Sequence, residues 1–271
     1  MKTIGLIAGN RKFPLLFAEG ARRHGYKVIA VGIRRDTLAL LEKKVDKFFW
    51  VHLSELDRLI SIFKEEGVKE IAMAGQVSPA RLFSREVIRS PQLQELLKQV
   101  KDKRADSIFG ALADKLKAAG FNLVDSTLFL KEYMPGVGVL TKRQPTDTEW
   151  EDIHFGFNIA KELGRLDIGQ SVAVKEKAVV AVEALEGTDN LIRRAGALSR
   201  GKVVVVKVSK PKQDKRFDIP VIGLNTIKNL IRAKAVCLGI EAGQTLFIDQ
   251  VKALALADKC GLAIAKRYGK I

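Results

Sequence analysis

The first thirty residues constrain the fold most. Thr3-Ile4-Gly5-Leu6-Ile7-Ala8 is an unbroken apolar run closed by Gly9, the pattern of a strand covered on both faces, as in a parallel sheet. The turn Gly9-Asn10-Arg11-Lys12-Phe13 leads to Pro14, which a first helical turn tolerates because its missing N–H would have no partner there. Leu15, Leu16, Ala18 and Ala21 then recur at helical spacing until Gly25, and Lys27–Val31 forms a second apolar run. A strand, helix and strand in this order favour a right-handed crossover and hence an α/β layer.

The alternation continues. Strands are expected at Phe48–Leu53, Glu70–Ala74 and Asn122–Val124, with helices over 55–66, 93–100 and 106–119. Between Phe129 and Thr148 the periodicity breaks at Pro135, Gly136, Gly138 and Pro145, which places a domain boundary there. Beyond it the pattern predicts a helix over 148–163 and strands at 171–175, 178–183 and 202–208. A helix over 223–233, a strand at 245–248, a helix over 249–260 and a strand at 262–265 complete the expectation. The resulting division is 1–130, a connecting segment 131–148, and 149–271. No internal repeat is present, which excludes solenoids and arrays.

The 271 residues carry 47 Lys+Arg against 31 Asp+Glu, a net charge of +16. The excess splits evenly about Leu130, without the basic block of a nucleic-acid arm. It fits anionic substrates or an anionic surface better. Cys237 and Cys260 are too few for a disulfide framework or a zinc knuckle, and His24, His52 and His154 lie in separate elements, so zinc is not expected. No apolar stretch approaches the ~20 residues of a spanning helix, and the start runs directly into a strand pattern, as expected of a cytoplasmic chain.

Chemistry is sought where strands end. Gly9 and Gly75 each close a parallel strand, and two such turns side by side form the usual ligand crevice of open α/β sheets. An ordinary tight turn explains each equally well. In the second half, Glu183-Ala184-Leu185-Glu186-Gly187-Thr188-Asp189 gathers carboxylates and a hydroxyl at a strand-to-helix turn, where Thr188 or Asp189 is expected to cap the next helix. After the 202–208 strand, the stretch from Ser209 to Pro220 mixes Lys210, Lys212, Lys215 and Arg216 with Asp214 and Asp218. Cations that hold phosphate oxygens beside a carboxylate that binds Mg²⁺ or orients water are what phosphoanhydride hydrolysis needs. A solvated basic loop is the plainer reading of the same residues.

Several segments, in order, resemble one family. They are Ala8-Gly9-Asn10 with Phe13-Pro14-Leu15, Gly75-Gln76-Val77, Leu166-Asp167-Ile168-Gly169-Gln170, Glu186-Gly187-Thr188-Asp189, Lys210-Pro211 with Gln213-Asp214 and Arg216, Asp218-Ile219-Pro220 with Ile222-Gly223, and Glu241-Ala242-Gly243. Together they are similar to the LpxI-type UDP-2,3-diacylglucosamine pyrophosphatases of lipid A biosynthesis. The resemblance implies an N-terminal Rossmann-like parallel-sheet domain and a C-terminal α/β catalytic domain with a substrate cleft between them. It implies cleavage of UDP-2,3-diacylglucosamine to UMP and 2,3-diacylglucosamine 1-phosphate (lipid X) with Mg²⁺ or another divalent cation. The family's essential aspartate lies in an Asp-x-Pro-x-x-Gly segment, here Asp218 to Gly223. Members commonly carry a second glycine in the first turn, where this chain has Arg11.

On this reading Asp218 and Asp189 are the expected catalytic carboxylates, and Asp218, Asp189 and Glu186 the expected metal ligands. Gly9, Asn10, Phe13, Pro14, Gly75, Gln76, Val77, Gln170, Thr188, Lys207, Lys210, Gln213 and Arg216 are the expected substrate contacts. The expected setting is the cytoplasmic face of the inner membrane of a Gram-negative-type bacterium, bound peripherally through anionic lipid, and a homodimer is compatible with it. Two other readings compete. A nicotinamide oxidoreductase would need GxGxxG and an acid after the second strand, where Gly32-Ile33-Arg34-Arg35 stands. A non-catalytic nucleotide-sugar module is the other. An RNA-binding module lacks the aromatic stacking platform on a basic strand, and no nucleic-acid partner is expected.

Overall fold

A computed structural model describes residues 2–77, 81, 84–102 and 104–267, apart from the side chains of residues 105 and 106. The chain divides into two compact units. One comprises Met1–Lys131 together with Asp214–Asp218, the other Glu132–Gln213 and Ile219–Ile271.

Unit 1 is a five-stranded parallel sheet built from β1 (Lys2–Ala8), β2 (Tyr26–Ile33), β3 (Lys47–Val51), β4 (Glu70–Ala74) and β5 (Asn122–Leu123). Its order is β3-β2-β1-β4-β5, that of a doubly wound sheet whose direction of growth reverses between β1 and β4. The helices are α1 (Phe13–Arg23), α2 (Leu56–Glu65), α3 (Arg85–Arg89), α4 (Pro91–Gln99) and α5 (Ala105–Ala118). Ile7, Val31, Phe63, Ile71, Leu116 and Phe121 are among the buried side chains of one core layer. Across the sheet, Phe17 of α1 is fully buried and meets Phe129 edge-on at 5.4 Å between ring centroids.

Unit 2 carries a six-stranded mixed sheet. Its strands are β6 (Gly138–Val139), β7 (Ser171–Lys175), β8 (Ala178–Val182), β9 (Val204–Lys207), β11 (Cys237–Glu241) and β13 (Ala263–Arg267), in the order β6-β13-β11-β9-β7-β8. Strands β13, β11 and β9 are parallel, while β7 and β6 are antiparallel to their neighbours. A separate ribbon pairs β10 (Val221–Ile222) with β12 (Leu246–Phe247).

Long helix α6 (Asp147–Arg165) covers one face of the mixed sheet, and α7 (Thr188–Ser199), α8 (Leu224–Arg232) and α9 (Gln250–Lys259) cover the other. Helix α6 begins in a capping box: Glu149 N–H donates to Thr146 Oγ1 at 3.3 Å and Thr146 N–H to Glu149 Oε2 at 3.0 Å. That exchange satisfies two otherwise unpaired donors and fixes the helix start.

Three features depart from the periodicity. The centre of the second sheet is β11, a strand not expected from the pattern because Gly239 interrupts its apolar run. That glycine is used for packing: a Cβ there would stand 3.1 Å from Ile153 Cγ2 of α6. The strand expected at 245–248 joins the small ribbon instead of the main sheet. Around Gly138, the irregular segment supplies edge strand β6, and Thr141 Oγ1 accepts from Ile264 N–H at 2.9 Å.

Close approach of α6 to the sheet also depends on Gly156, where a Cβ would lie 2.8 Å from Val206 Cγ2 and 3.1 Å from Val174 Cγ2. Gly156→Val is therefore expected to destabilise the protein by about 1–3 kcal/mol through overpacking. Urea unfolding followed by circular dichroism measures this, and an unchanged midpoint would contradict the packing described.

Candidate functional site

In unit 1 the switch between β1 and β4 is where the two glycine turns meet. Gly9 N–H donates to Ala74 O at 2.8 Å and Asn10 N–H to Gln76 O at 2.8 Å, and Asn10 and Gln76 form an antiparallel bridge. No side chain fits between these backbones: a Cβ on Gly9 would stand 2.7 Å from the Gly75 carbonyl carbon. Gly75 has φ +85°, and its Cβ would lie 2.6 Å from Asn10 O.

Thr37 Oγ1 ties the neighbouring strand ends by donating to Ala8 O at 2.5 Å and accepting from Ile33 N–H at 2.9 Å. Phe13 and Pro14 are buried behind the turn, Gln76 is exposed and Val77 half-buried. Asn10 Oδ1 is buried without a hydrogen-bond partner. Arg11 has φ 64°, the left-handed conformation glycine adopts without steric cost. The turn thus keeps a glycine-like shape with an arginine in it.

Asp218 also belongs to unit 1. The segment 214–218 is a tight loop in which Phe217 N–H and Asp218 N–H donate to Asp214 O at 3.3 and 2.9 Å. Phe217 stacks on Phe109 with centroids 5.6 Å apart, and Lys215 O accepts from Ser126 N–H and Oγ at 2.9 and 2.7 Å. The Asp214 carboxylate accepts from Arg216 N–H, Nε and Nη2, the last at 2.6 Å. Arg216 therefore holds the loop closed through Asp214.

In unit 2 polar side chains gather where the parallel strands end. Pairing runs in one row from Glu183 through Ser171, Lys207, Ile240 and Lys266 to Gly138. Lys207 Nζ donates to Thr188 Oγ1 at 2.7 Å, and Thr188 Oγ1 donates to Glu183 Oε1 at 2.9 Å. Ser171, Lys207 and Glu183 are buried, and Glu183 Oε2 has no partner. A buried, unpaired carboxylate oxygen costs on the order of 1–3 kcal/mol or more, so this one marks a place built for something besides stability.

On the opposite face, Lys161 Nζ bridges both oxygens of Glu241, at 2.8 and 2.7 Å, to Ser209 O. Glu241 Oε2 also accepts from Ser209 N–H and Oγ. Lys210 Nζ pairs with Asp167 at 2.6 Å, while its N–H donates to Gln213 Oε1 at 2.6 Å. Gln213 Nε2 and Gln170 Oε1 are buried without partners.

Thr188 and Asp189 do not cap α7. The N-cap is Gly187, with no side-chain hydrogen bond, because the Thr188 hydroxyl is committed to Lys207 and Glu183. Asp189 accepts from Asn225 at 3.0 Å, and exposed Glu186 pairs with Arg194 at 2.5 Å. Among the described residues no group of three His, Cys, Asp or Glu side chains is placed to hold an ion. Of the three carboxylates expected as metal ligands, Asp189 and Glu186 belong to unit 2 and Asp218 to unit 1. Glu183, Ser171, Glu241 and Lys161 join the site without having been singled out as site residues from the sequence. Their shared signal is a polar residue directly beside an apolar strand run or on the helix facing it.

Two α/β units, each with its polar groups and orphaned buried atoms at the carboxyl ends of parallel strands, define a ligand-handling α/β protein. The models of the LpxI N-terminal and C-terminal domains match residues 3–133 and 136–265. The UDP-2,3-diacylglucosamine pyrophosphatase LpxI of Caulobacter vibrioides is 30% identical over 275 residues, covering 97% of both chains. The chain belongs to the LpxI family, which makes it an enzyme of the pyrophosphatase class.

Solved structures are more distant. The biotin carboxylase domain of a thermophilic 2-oxoglutarate carboxylase is 11% identical over 64% of this chain and 35% of its own, with a TM-score of 0.28. Rhizobium etli pyruvate carboxylase is 15% identical over 68% and 16%, with a TM-score of 0.29. Likeness at this level carries no argument.

The Asp214–Arg216 pair has a pH signature. Arg216's hydrogen bonds hold the Asp214 carboxyl below its ordinary value. Its stabilisation is complete above the ordinary aspartate pKa of about 4 and is lost as pH falls through the lowered value. Asp214→Asn is expected to flatten the acid limb of the thermal midpoint measured between about pH 5 and pH 2. Parallel limbs for variant and wild type would remove the ion pair from the account.

Proposed function

We propose that the chain hydrolyses UDP-2,3-diacylglucosamine to UMP and 2,3-diacylglucosamine 1-phosphate in lipid A biosynthesis. The observation that carries this reading is the end-to-end match to the Caulobacter pyrophosphatase through both LpxI domains. In the step itself, water oxygen bonds to one phosphorus and the bridging P–O bond breaks. The bridging oxygen leaves with the electron pair on the departing phosphate, and the water proton passes to a carboxylate.

Asp218 is assigned to orient that water and take its proton, supported by its half-buried place in a hydrogen-bonded loop among cations. Lys207, Thr188, Lys210 and Arg216 are assigned to the diphosphate oxygens, where charge-assisted hydrogen bonds gain most. Gln170 and Gln213, each with an unpaired buried amide atom, are assigned to polar groups of the substrate. Gly9, Asn10, Gly75, Gln76 and Val77, backed by Phe13 and Pro14, are assigned to a second part of it. Asp189 and Glu186 are assigned supporting electrostatic roles.

A divalent-cation requirement is a separate proposal, read as loss of UMP release on adding EDTA and recovery with excess MgCl₂. Asp218→Ala is expected to lower the rate of UMP release by about 100-fold or more at saturating Mg²⁺. A near-wild-type rate would remove Asp218 from the chemistry. Multiple turnovers by the wild type separate an enzyme from a binding module.

Peripheral docking follows from charge. Among the described residues no helix is long and apolar enough to cross a membrane, whereas each cation near an anionic leaflet contributes up to about 1 kcal/mol. Sedimentation with phosphatidylglycerol vesicles is expected at low salt and to fade as salt rises. Equal sedimentation with neutral vesicles would argue against docking by charge.

A further inference from the structure

The row at the end of the second sheet holds a lysine that none of these roles uses. Lys266 lies on β13 opposite Ile240, and Lys207 lies opposite the same Ile240 on the other side. Paired residues of neighbouring strands project to the same face, so both lysines stand on the side covered by α7, α8 and α9, whose core includes Ile240. Two strand spacings separate them, roughly 10 Å between backbones.

Lys266 is only 7% exposed. Among the described residues no hydrogen bond or ion pair reaches its ammonium group, and burial alone lowers its pKa. Its other neighbour in the row is Gly138, where an added Cβ would meet nothing within 4 Å. The stem of Lys266 is therefore buried while its ammonium keeps contact with solvent.

A largely buried lysine with no counter-charge on its ammonium is held in place at a cost, and such groups are ordinarily paired. Lys207 is slightly more buried, and its ammonium donates to a neutral hydroxyl, that of Thr188. Two buried cations on one face are thus offset by one carboxylate, Glu183. The first turn of α7 adds the positive end of a helix dipole where Thr188 bonds Lys207.

We propose that Lys266 is a phosphate-binding residue that, with Lys207, grips the diphosphate of the substrate from the two sides of Ile240. This rests on the function proposed above for the identity of the diphosphate, though not for the binding of phosphate itself. The ligand supplies the missing counter-charge, so the site sacrifices stability in the free protein for affinity.

The test uses the full chain and inorganic pyrophosphate as probe, by calorimetry, with UMP release from UDP-2,3-diacylglucosamine measured in parallel. Lys266→Met is expected to weaken pyrophosphate binding roughly 10- to 100-fold and to raise the thermal midpoint of the free protein. Lys266→Arg is expected to retain most of the binding. Unchanged pyrophosphate affinity in a folded Lys266→Met protein overturns the inference, as does a wild type that binds no pyrophosphate. A lowered midpoint with unchanged affinity makes Lys266 a packing residue. If pyrophosphate binding depends on Lys266 but wild type releases no UMP, the assignment of Lys266 stands and the proposed substrate falls.

Discussion

A parallel strand covered on both faces has no place along its length for a polar side chain, and that constraint arranges the molecule. Strands β1, β4, β9 and β11 are buried almost throughout, so charge can enter only where the chain leaves the sheet. Lys207 and Glu241 close their strands, and Lys266 stands one residue short of the end of β13. Glu183 follows directly on β8. The chemistry of unit 2 is collected at one edge because the rest of the sheet excludes it.

Unit 1 meets the same constraint with backbone in place of charge. Gly9 and Gly75 let two chain segments approach more closely than any Cβ permits, and backbone hydrogen bonds tie the segments together at the switch point of the sheet. Arg11 in the same turn adopts the left-handed φ that glycine takes without steric cost. The loop carrying Asp218 joins this unit through Phe217 on Phe109 and Lys215 O on Ser126, and the Asp214–Arg216 pair closes it on itself. Each fastening lies within a few residues of the carboxylate, so Asp218 is framed by ordinary packing and hydrogen bonds.

Much of the fold was legible because buried parallel strands write themselves as apolar runs. Lys2–Ala8, Glu70–Ala74 and Ser171–Lys175 stand where the runs put them, and α6 starts at Asp147, next to the start expected at 148. What could not be read is pairing between distant segments. Gly239 looks like a break until Ile153 of α6 is placed against it, and Leu246–Phe247 looks like a core strand until its partner is seen to be Val221–Ile222. The site follows the same division. Lys207, Thr188 and the glycine turns were legible as types at strand ends. Lys161 meets Glu241 across 80 residues, and local spacing carries no trace of such a pair.

Glu183 and Glu241 show how pairing decides what a buried charge is for. Glu241 has every requirement met, with an ammonium, a hydroxyl and a backbone N–H on its oxygens. Such a carboxylate is fixed in place and contributes shape. Glu183 is met on one oxygen only, and that through Thr188, whose hydroxyl accepts from Lys207 while donating to the acid. Because Thr188 is the first residue of α7, any change in the position of Lys207 is passed to a helix N-terminus and to an incompletely paired carboxylate together. The hydroxyl is the shared atom, and a valine of the same outline would leave Lys207 and Glu183 without the hydrogen-bonding group that links them. Of the two buried clusters, it is the unsaturated one that can respond to a ligand.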